Sequence, residues 1–300
     1  MRGVTIELAT PEVDGLDAAV GALREWQQAG APRQLHPGDL GWFWRFGAET
    51  TAARVRTWRR DGQVLAVGLV DEPDLLRVTL APEAYDDEEL ARRMTEDLGD
   101  PARGVLVEGD VYVEAPEGAL LRETLSEAGW RLDDPWTPLC RDLAEPVEDP
   151  GVRIEVAGPR LVADRTAVQR AAFNRSTFTE ERWHAMAAGP AYADARCLVA
   201  YDERGDPVAT ITVWSAGPGR PGLVEPMGVH RDHRGRGHGR AITLAGAAAL
   251  REMGASSALV ATPSSNVGGV ATYVAAGFEA LPEVRDLSRA AAKNQAPDTQ

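Results

Sequence analysis

The chain closes each of its halves in the same way. Gly129-Trp130 is followed by a strand-forming run ending on Arg141-Asp142-Leu143, and Gly277-Phe278 by one ending on Arg285-Asp286-Leu287. The expected elements upstream share an order as well. In the first half, residues 63–70 and 75–80 read as neighbouring strands, 86–98 as a polar helix, 111–114 and 139–143 as strands. In the second, residues 197–201 and 208–214 read as a hairpin turning at 202–206, and 223–229 as a strand. An alanine-rich helix capped at Gly254, a strand at 258–262, a short helix and a strand at 284–287 follow. Short apolar and β-branched runs between Gly, Pro and Asp carry the strand readings. A glycine just past the last periodic residue carries the helix end. Shared order and shared ending indicate an internal duplication. The expected fold is therefore α/β, with two tandem domains of mixed, largely antiparallel sheet flanked by helices. Residues 145–151, rich in proline and acid, form the expected linker between a domain at 1–147 and one at 152–287. Residues 288–300 read as a polar, disordered tail.

Three hundred residues suit two domains. No apolar run is long enough to cross a bilayer, and residues 1–14 do not form a secretory signal. Cys140 and Cys197, one in each half, make neither a disulfide framework nor a structural zinc site, and a reducing cytoplasm fits. With 32 basic against 46 acidic residues the net charge is −14, which disfavours nucleic acid as a partner and mildly favours cationic small molecules.

The sharpest local feature is His230-Arg-Asp-His-Arg234-Gly235-Arg236-Gly237-His238-Gly239-Arg240, between an expected strand and the alanine-rich helix. Glycines let successive N–H groups turn into one concavity suited to phosphate. The helix start adds roughly half a positive charge. Arg231, Arg234, Arg236 and Arg240 add formal charge. A P-loop is excluded because the chain's one lysine, Lys293, lies elsewhere, and the dinucleotide fingerprint fails at Arg240, where its third glycine belongs. His230, His233 and His238 have only Asp232 as a nearby carboxylate and no cysteine, so no metal site is expected.

Arg234, Gly237 and Gly239 match the pattern Arg/Gln-x-x-Gly-x-Gly/Ala of the GNAT superfamily of acyl-CoA-dependent N-acyltransferases. Asn266, Tyr273, Gly277 and Phe278 fall at the spacing of a second motif of that family. The chain resembles the family over residues 223–278, and the resemblance is expected to extend across 152–287. It departs at Gly269, where alanine is common, and at Thr272, where an aliphatic residue is common.

The resemblance implies an acetyl-CoA co-substrate whose pantetheine inserts between two splayed strands. The backbone of Met227, Gly228 and Val229 would meet the pantetheine amides and polarise the thioester carbonyl. Amides from Arg234 through Gly235, Arg236, Gly237 and His238 to Gly239 would hold the pyrophosphate. Asn266 would bond the pantetheine, and Tyr273 would protonate the departing thiolate.

An alkylammonium acceptor must lose a proton before it attacks. Glu225, two residues before Met227 on the strand, is the expected base, with Glu279 and Glu283 as alternatives. In the first half the segment matching the phosphate loop, residues 81–89, carries five acids and no basic residue, and Leu125 stands where Tyr273 would. That half reads as a degenerate domain without cofactor. The aromatic run at 41–46, and Phe173, Asn174, Phe178, Trp183 and Tyr192, are candidates to shape an acceptor pocket or to pack as core. The expected activity is direct transfer of acetyl to a primary amine of a small molecule. The alternatives are an acyl-CoA-binding sensor or scaffold without turnover, and a protein N-acetyltransferase. The acceptor's identity, donor length and oligomeric state are not encoded in any motif.

Overall fold

The computed structural model describes residues 5–32 and 35–291. Its strands are β1 (Glu7–Ala9), β2 (Val55–Arg60), β3 (Gln63–Glu72), β4 (Leu75–Leu80), β5 (Val111–Glu114), β6 (Arg131–Asp142), β7 (Arg153–Val156), β8 (Ala195–Tyr201), β9 (Pro207–Trp214), β10 (Gly222–Val229), β11 (Ser257–Pro263), β12 (Glu279–Ala280) and β13 (Val284–Arg289). The helices are α1 (Leu16–Trp26), α2 (Pro37–Phe43), α3 (Ala48–Arg54), α4 (Glu88–Gly99), α5 (Leu120–Glu127), α6 (Val162–Ala172), α7 (Glu180–Ala187), α8 (His238–Glu252) and α9 (Val267–Ala275). Among the described residues no helix is long and apolar enough to cross a membrane.

Packing divides the chain into two compact units that do not coincide with a cut at residues 145–151. Of the described residues, one unit comprises 5–10, 54–134 and 285–291, the other 11–32, 35–53 and 135–284. In the first, β1, β2, β3 and β4 pair antiparallel in succession, β4 and β5 pair parallel, and β13 pairs antiparallel with β5. In the second, β7, β8, β9 and β10 pair antiparallel, β10 and β11 pair parallel, and β6 pairs antiparallel with β11. The pattern is the same, but each sheet takes its final strand from the other half's ending. β6 brings Leu139 into the second unit's core, whereas β13 sets Leu287 opposite Val113 in the first. Ser288 and Arg289, expected to begin a tail, pair with Tyr112 and Val111 instead, because the ladder to β5 continues through them. The rest of the expected tail, 292–300, lies outside the described residues.

Residues 11–53 contribute α1, α2 and most of α3 to the second unit. There the sheet is covered on both faces. Ile211, Val213, Val224, Ile242, Leu244 and Leu250 pack with Tyr273 and Phe278 in one core. Phe178, Trp183, Met186 and Trp214 form another, joined by half-buried Trp42 from α2. Arg24 of α1 is ion-paired with Asp194.

Candidate active site

The parallel strands β10 and β11 begin together and then part. Their register holds for Gly222↔Ala258 and Leu223↔Leu259 and stops, although the strands run on to Val229 and Pro263. The outer edges remain paired, β10 with β9 through Val229 and β11 with β6 through Pro263. Beyond Leu223 and Leu259 the two facing edges are therefore not laddered to each other, which is the kind of gap that can take an extended ligand with amide groups.

The glycine loop leads into α8 beside this opening. Gly235 and Gly237 have φ of 73° and 84°, and a Cβ on either would meet nothing within 4 Å, so glycine serves conformation and leaves space. Gly237 is the N-cap of α8 and supplies no side-chain acceptor, which leaves the start of the helix uncapped by any side chain. Gly239 has another role. A Cβ there would lie 2.8 Å from Thr272 Cγ2 and 3.4 Å from Val229 Cγ2, so it permits close approach of α9 and β10.

The arginines are placed differently from the expectation of a charged phosphate ring. Arg231 and Arg234 donate to carbonyls of residues 170–172 at the C-terminus of α6, Arg234 Nη2 reaching Ala172 O at 2.7 Å. Arg240 Nε donates to Ala275 O at 2.8 Å at the end of α9, and its Nη2 lies 3.6 Å from Glu148. These carbonyls carry the negative ends of helices and compete for the cations. Arg236 is exposed. What faces the opening is thus chiefly main-chain amide. His238 has its imidazole held below the usual range by burial, with His233 adding to it.

Asn266 is the N-cap of α9: its Oδ1 accepts from Gly269 N at 3.2 Å and its Nδ2 donates to Thr262 Oγ1 at 2.9 Å. The amide folds so closely that a Cβ on residue 269 would lie 2.4 Å from Nδ2, which accounts for Gly269. Tyr273, one turn further on, is buried against Phe278 with ring centroids 5.7 Å apart. Burial, and secondarily the charge of Glu225, raise the phenol above its ordinary value. Glu225 and Tyr273, from different elements, are thus within electrostatic reach of each other.

The expected alternation from Glu225 to Met227 does not hold. Val224 pairs with Val213 and Met227 with Ile211, so Glu225 and Pro226 form a bulge opposite Thr212 alone. Val224 and Met227 both pack into the core beneath α8, and Glu225 leaves the strand at the bulge. Its peptide to Pro226 is cis, and its carbonyl accepts from Trp214 Nε1 at 2.7 Å. Sequence reasoning passed over Trp214; the signal was Pro226, because proline inside a strand marks an edge or a bulge. Glu279 and Glu283 are exposed.

In the first unit the equivalent parallel pair ends differently. β4 and β5 pair from Leu75↔Tyr112 to Arg77↔Glu114, where β5 ends, and Arg77 Nε and Glu114 Oε2 are ion-paired at 2.9 Å. The N-cap of α4 is Asp87, whose carboxylate accepts from Leu90 N at 2.9 Å and pairs with Arg60 at 2.6 Å. Leu125 is fully buried.

Strand order, parting strands and glycine loop together define an α/β acyltransferase fold of GNAT type. Residues 160–278 match the family model "Acetyltransferase (GNAT) family", a family that uses acyl-CoA. Solved structures extend the likeness over both units. A GCN5-related N-acetyltransferase from Sphaerobacter thermophilus is 20% identical with a TM-score of 0.59, covering 95% of each chain. A tandem GNAT protein from the clavulanic acid biosynthesis pathway is 15% identical with a TM-score of 0.60, covering 97% of this chain and 100% of that one. A GCN5-related N-acetyltransferase from Kribbella flavida is 18% identical with a TM-score of 0.54, covering 92% and 94%. No curated protein sequence matches the chain.

Proposed function

We propose that the second unit transfers acetyl from acetyl-CoA directly to a primary amine of a small molecule, in the cytoplasm. The observation that carries this reading is the asymmetry between two like junctions: strands parted beside an uncapped helix start in one, an ion pair and a self-capped helix in the other. Main-chain groups of Met227, Gly228 and Val229 would receive the pantetheine and the thioester carbonyl. The amides from Arg234 to Gly239 would receive the diphosphate. Asn266 holds the start of α9, and through it Tyr273, in place. Acetyl-CoA held there supplies a thioester as acyl donor.

Glu225 accepts the proton that the ammonium must lose, directly or through a water, freeing the nitrogen lone pair to bond to the carbonyl carbon as the C–S bond breaks. Tyr273, held protonated at neutral pH by burial, gives its proton to the sulfur, and the second proton that the nitrogen sheds on becoming an amide returns to the phenolate through solvent. The two steps support each other. Protonating Glu225 removes a charge that holds the phenolic proton, so Tyr273 becomes a better acid when its proton is needed. Neither thiol is arranged as a nucleophile: Cys197 is buried as an acceptor for Arg165, and burial pushes the Cys140 thiol up.

The test is calorimetry of the full chain with acetyl-CoA, followed by thiol release across a panel of amines. One site per chain and amine-dependent release are expected. Binding without release on any amine would overturn catalysis in favour of a sensor; two equal sites would overturn the asymmetry.

A further inference from the structure

Arg165 stands on α6 with its side chain wholly buried. Charged side chains are almost never fully buried unless paired, because their lost hydration must be replaced. Here Nε donates to Cys197 Sγ and Nη2 to Thr212 Oγ1, each at 3.3 Å, and the guanidinium carbon lies 4.2 Å from the centre of the Phe178 ring. Nη1 has no partner. Among the described residues no carboxylate pairs with this cation; the adjacent Asp164 accepts from Tyr201 Oη at 2.7 Å. One turn along the same face of α6, buried Gln169 also has a polar atom, Oε1, without a partner. A sulfur, a hydroxyl and a ring do not neutralise a guanidinium.

The place of this cation in the sheet gives it a use. Thr212, which it bonds, is the β9 residue lying opposite the Glu225–Pro226 bulge. Thr212 and the residue assigned as base therefore lie on neighbouring strands, one strand spacing apart, and Arg165 is bonded to the first of them. The rings around it include Trp42, stacked on Phe178 at 5.5 Å, and Tyr192; these two are the part-exposed members of the aromatic set. Nη1 is itself buried, so a ligand group would reach it only where one of these part-exposed rings gives way.

We propose that the acceptor amine also carries an anionic group, and that Arg165 binds this group through Nη1. This deepens, and rests on, the acyl-transfer reading above. An acceptor with an ammonium at one end and an anion at the other meets Glu225 and Arg165 in complementary order. The overall negative charge of the chain favoured cations, but the local field beneath α6 is positive and selects a zwitterion. A bond from a buried guanidinium to an anion gives about 10²-fold preference over a neutral analogue.

The experiment uses the full-length protein loaded with acetyl-CoA and matched pairs of amines. Aminoalkyl carboxylates and aminoalkyl phosphates are each compared with the alkylamine of equal length, by calorimetric Kd and by kcat/KM for thiol release. The wild type is expected to favour an anionic member about 100-fold, and the pair with the larger ratio identifies the anion. Arg165→Met should bring the ratio close to one, with a melting temperature equal to or above that of the wild type, because an apolar chain replaces an unpaired buried charge. Thr212→Val, which removes one bond to the guanidinium, should lower the ratio to a smaller extent and decides the matter if Arg165→Met does not fold. A wild-type ratio near one, or a ratio unchanged in the variants, overturns the proposal. Arg165-dependent binding of anionic amines without thiol release would sink the acyl-transfer reading and leave the anion site standing.

Discussion

The N-termini of α4 and α8 occupy equivalent places in two sheets of the same strand pattern, and they are finished in opposite ways. At α4 the chain supplies its own anion: Asp87 caps Leu90 N–H and is held by Arg60. At α8 the cap residue is Gly237, with no side chain to offer. Beside α4 the parallel pair ends at its third position on a cross-strand Arg77–Glu114 ion pair, whereas beside α8 the ladder stops after two positions with no such pair between the strands. The same fold can thus be completed internally or left with groups that a ligand completes. A helix start that already holds a carboxylate has no use for a diphosphate, since the second anion meets repulsion in place of attraction.

The contrast can be broken at its chemical end first. Tyr273 stands where the other unit has Leu125, so Tyr273→Phe keeps the ring and removes only the hydroxyl. Turnover on a responsive amine is expected to fall by roughly 10²–10⁴ with acetyl-CoA affinity nearly unchanged. Steady-state kinetics under conditions where chemistry limits the rate checks this, and a wild-type rate would make the tyrosine a packing residue.

Next in size is Gly237→Asp, which gives α8 the cap that α4 already has. Acetyl-CoA affinity should drop by about 10²-fold or more as one charge-assisted contact is lost and a repulsion is added. Urea denaturation should meanwhile show stability changed by only about 1 kcal/mol, because the new cap offsets the positive-φ strain. Unchanged affinity would mean that the loop is only a turn.

Acid distinguishes the units more gently. His36 of the second unit is fully buried, its Nε2 at 3.2 Å from Pro221 O, and burial holds its pKa at about 3. The unfolded chain binds the proton near pH 6.5 and the folded chain does not, so stability falls as pH drops from there towards 3. The expected loss is about 2 kcal/mol between pH 7 and pH 5, measured by urea denaturation and abolished in a His36→Gln variant. Asp87 of the first unit, lowered chiefly by its bond to Arg60, contributes stability that is full above about pH 4 and is lost only below it. A stability profile flat from pH 7 to 5 would contradict the neutral, buried state of His36.

The smallest effect is on the closed side. Asp87→Ala should cost the first unit about 1 kcal/mol through loss of the cap and create no second acetyl-CoA site, because Glu83, Asp86, Glu88 and Glu89 remain around the helix start. Calorimetry giving two sites per chain would show that the cap alone had kept the ligand out.

Local requirements were legible in the sequence and partner choice was not. The loop could be read because positive φ at Gly235 and Gly237 calls for glycine wherever the chain goes. Asn266 and Tyr273 could be placed because seven residues span one short helix. The destination of the two Arg-Asp-Leu endings could not be read, since either satisfies the edge of either parallel pair. Amphipathic α1 announces a buried face, with Leu16, Ala19, Val20 and Leu23 inside, but not the sheet that covers it. Arg231, Arg234 and Arg240 read in the sequence as charge alone, because the helix ends that engage them are remote in sequence. Arg165 leaves a trace in the sequence: with Val162, Gln169 and Ala172 it recurs at helical spacing on the face that becomes buried.

The exchanged endings also set the order in which the molecule can be finished during synthesis. Everything the second unit contains has been synthesised once Val284 is added, whereas β1 to β5 of the first wait for residues 285–289. The half made first is therefore completed last, the reverse of the usual progress from N- to C-terminus. Until then the edge of β5 that β13 will cover stays open, and a nascent chain stalled before its final strand would expose that edge to any other strand seeking a partner.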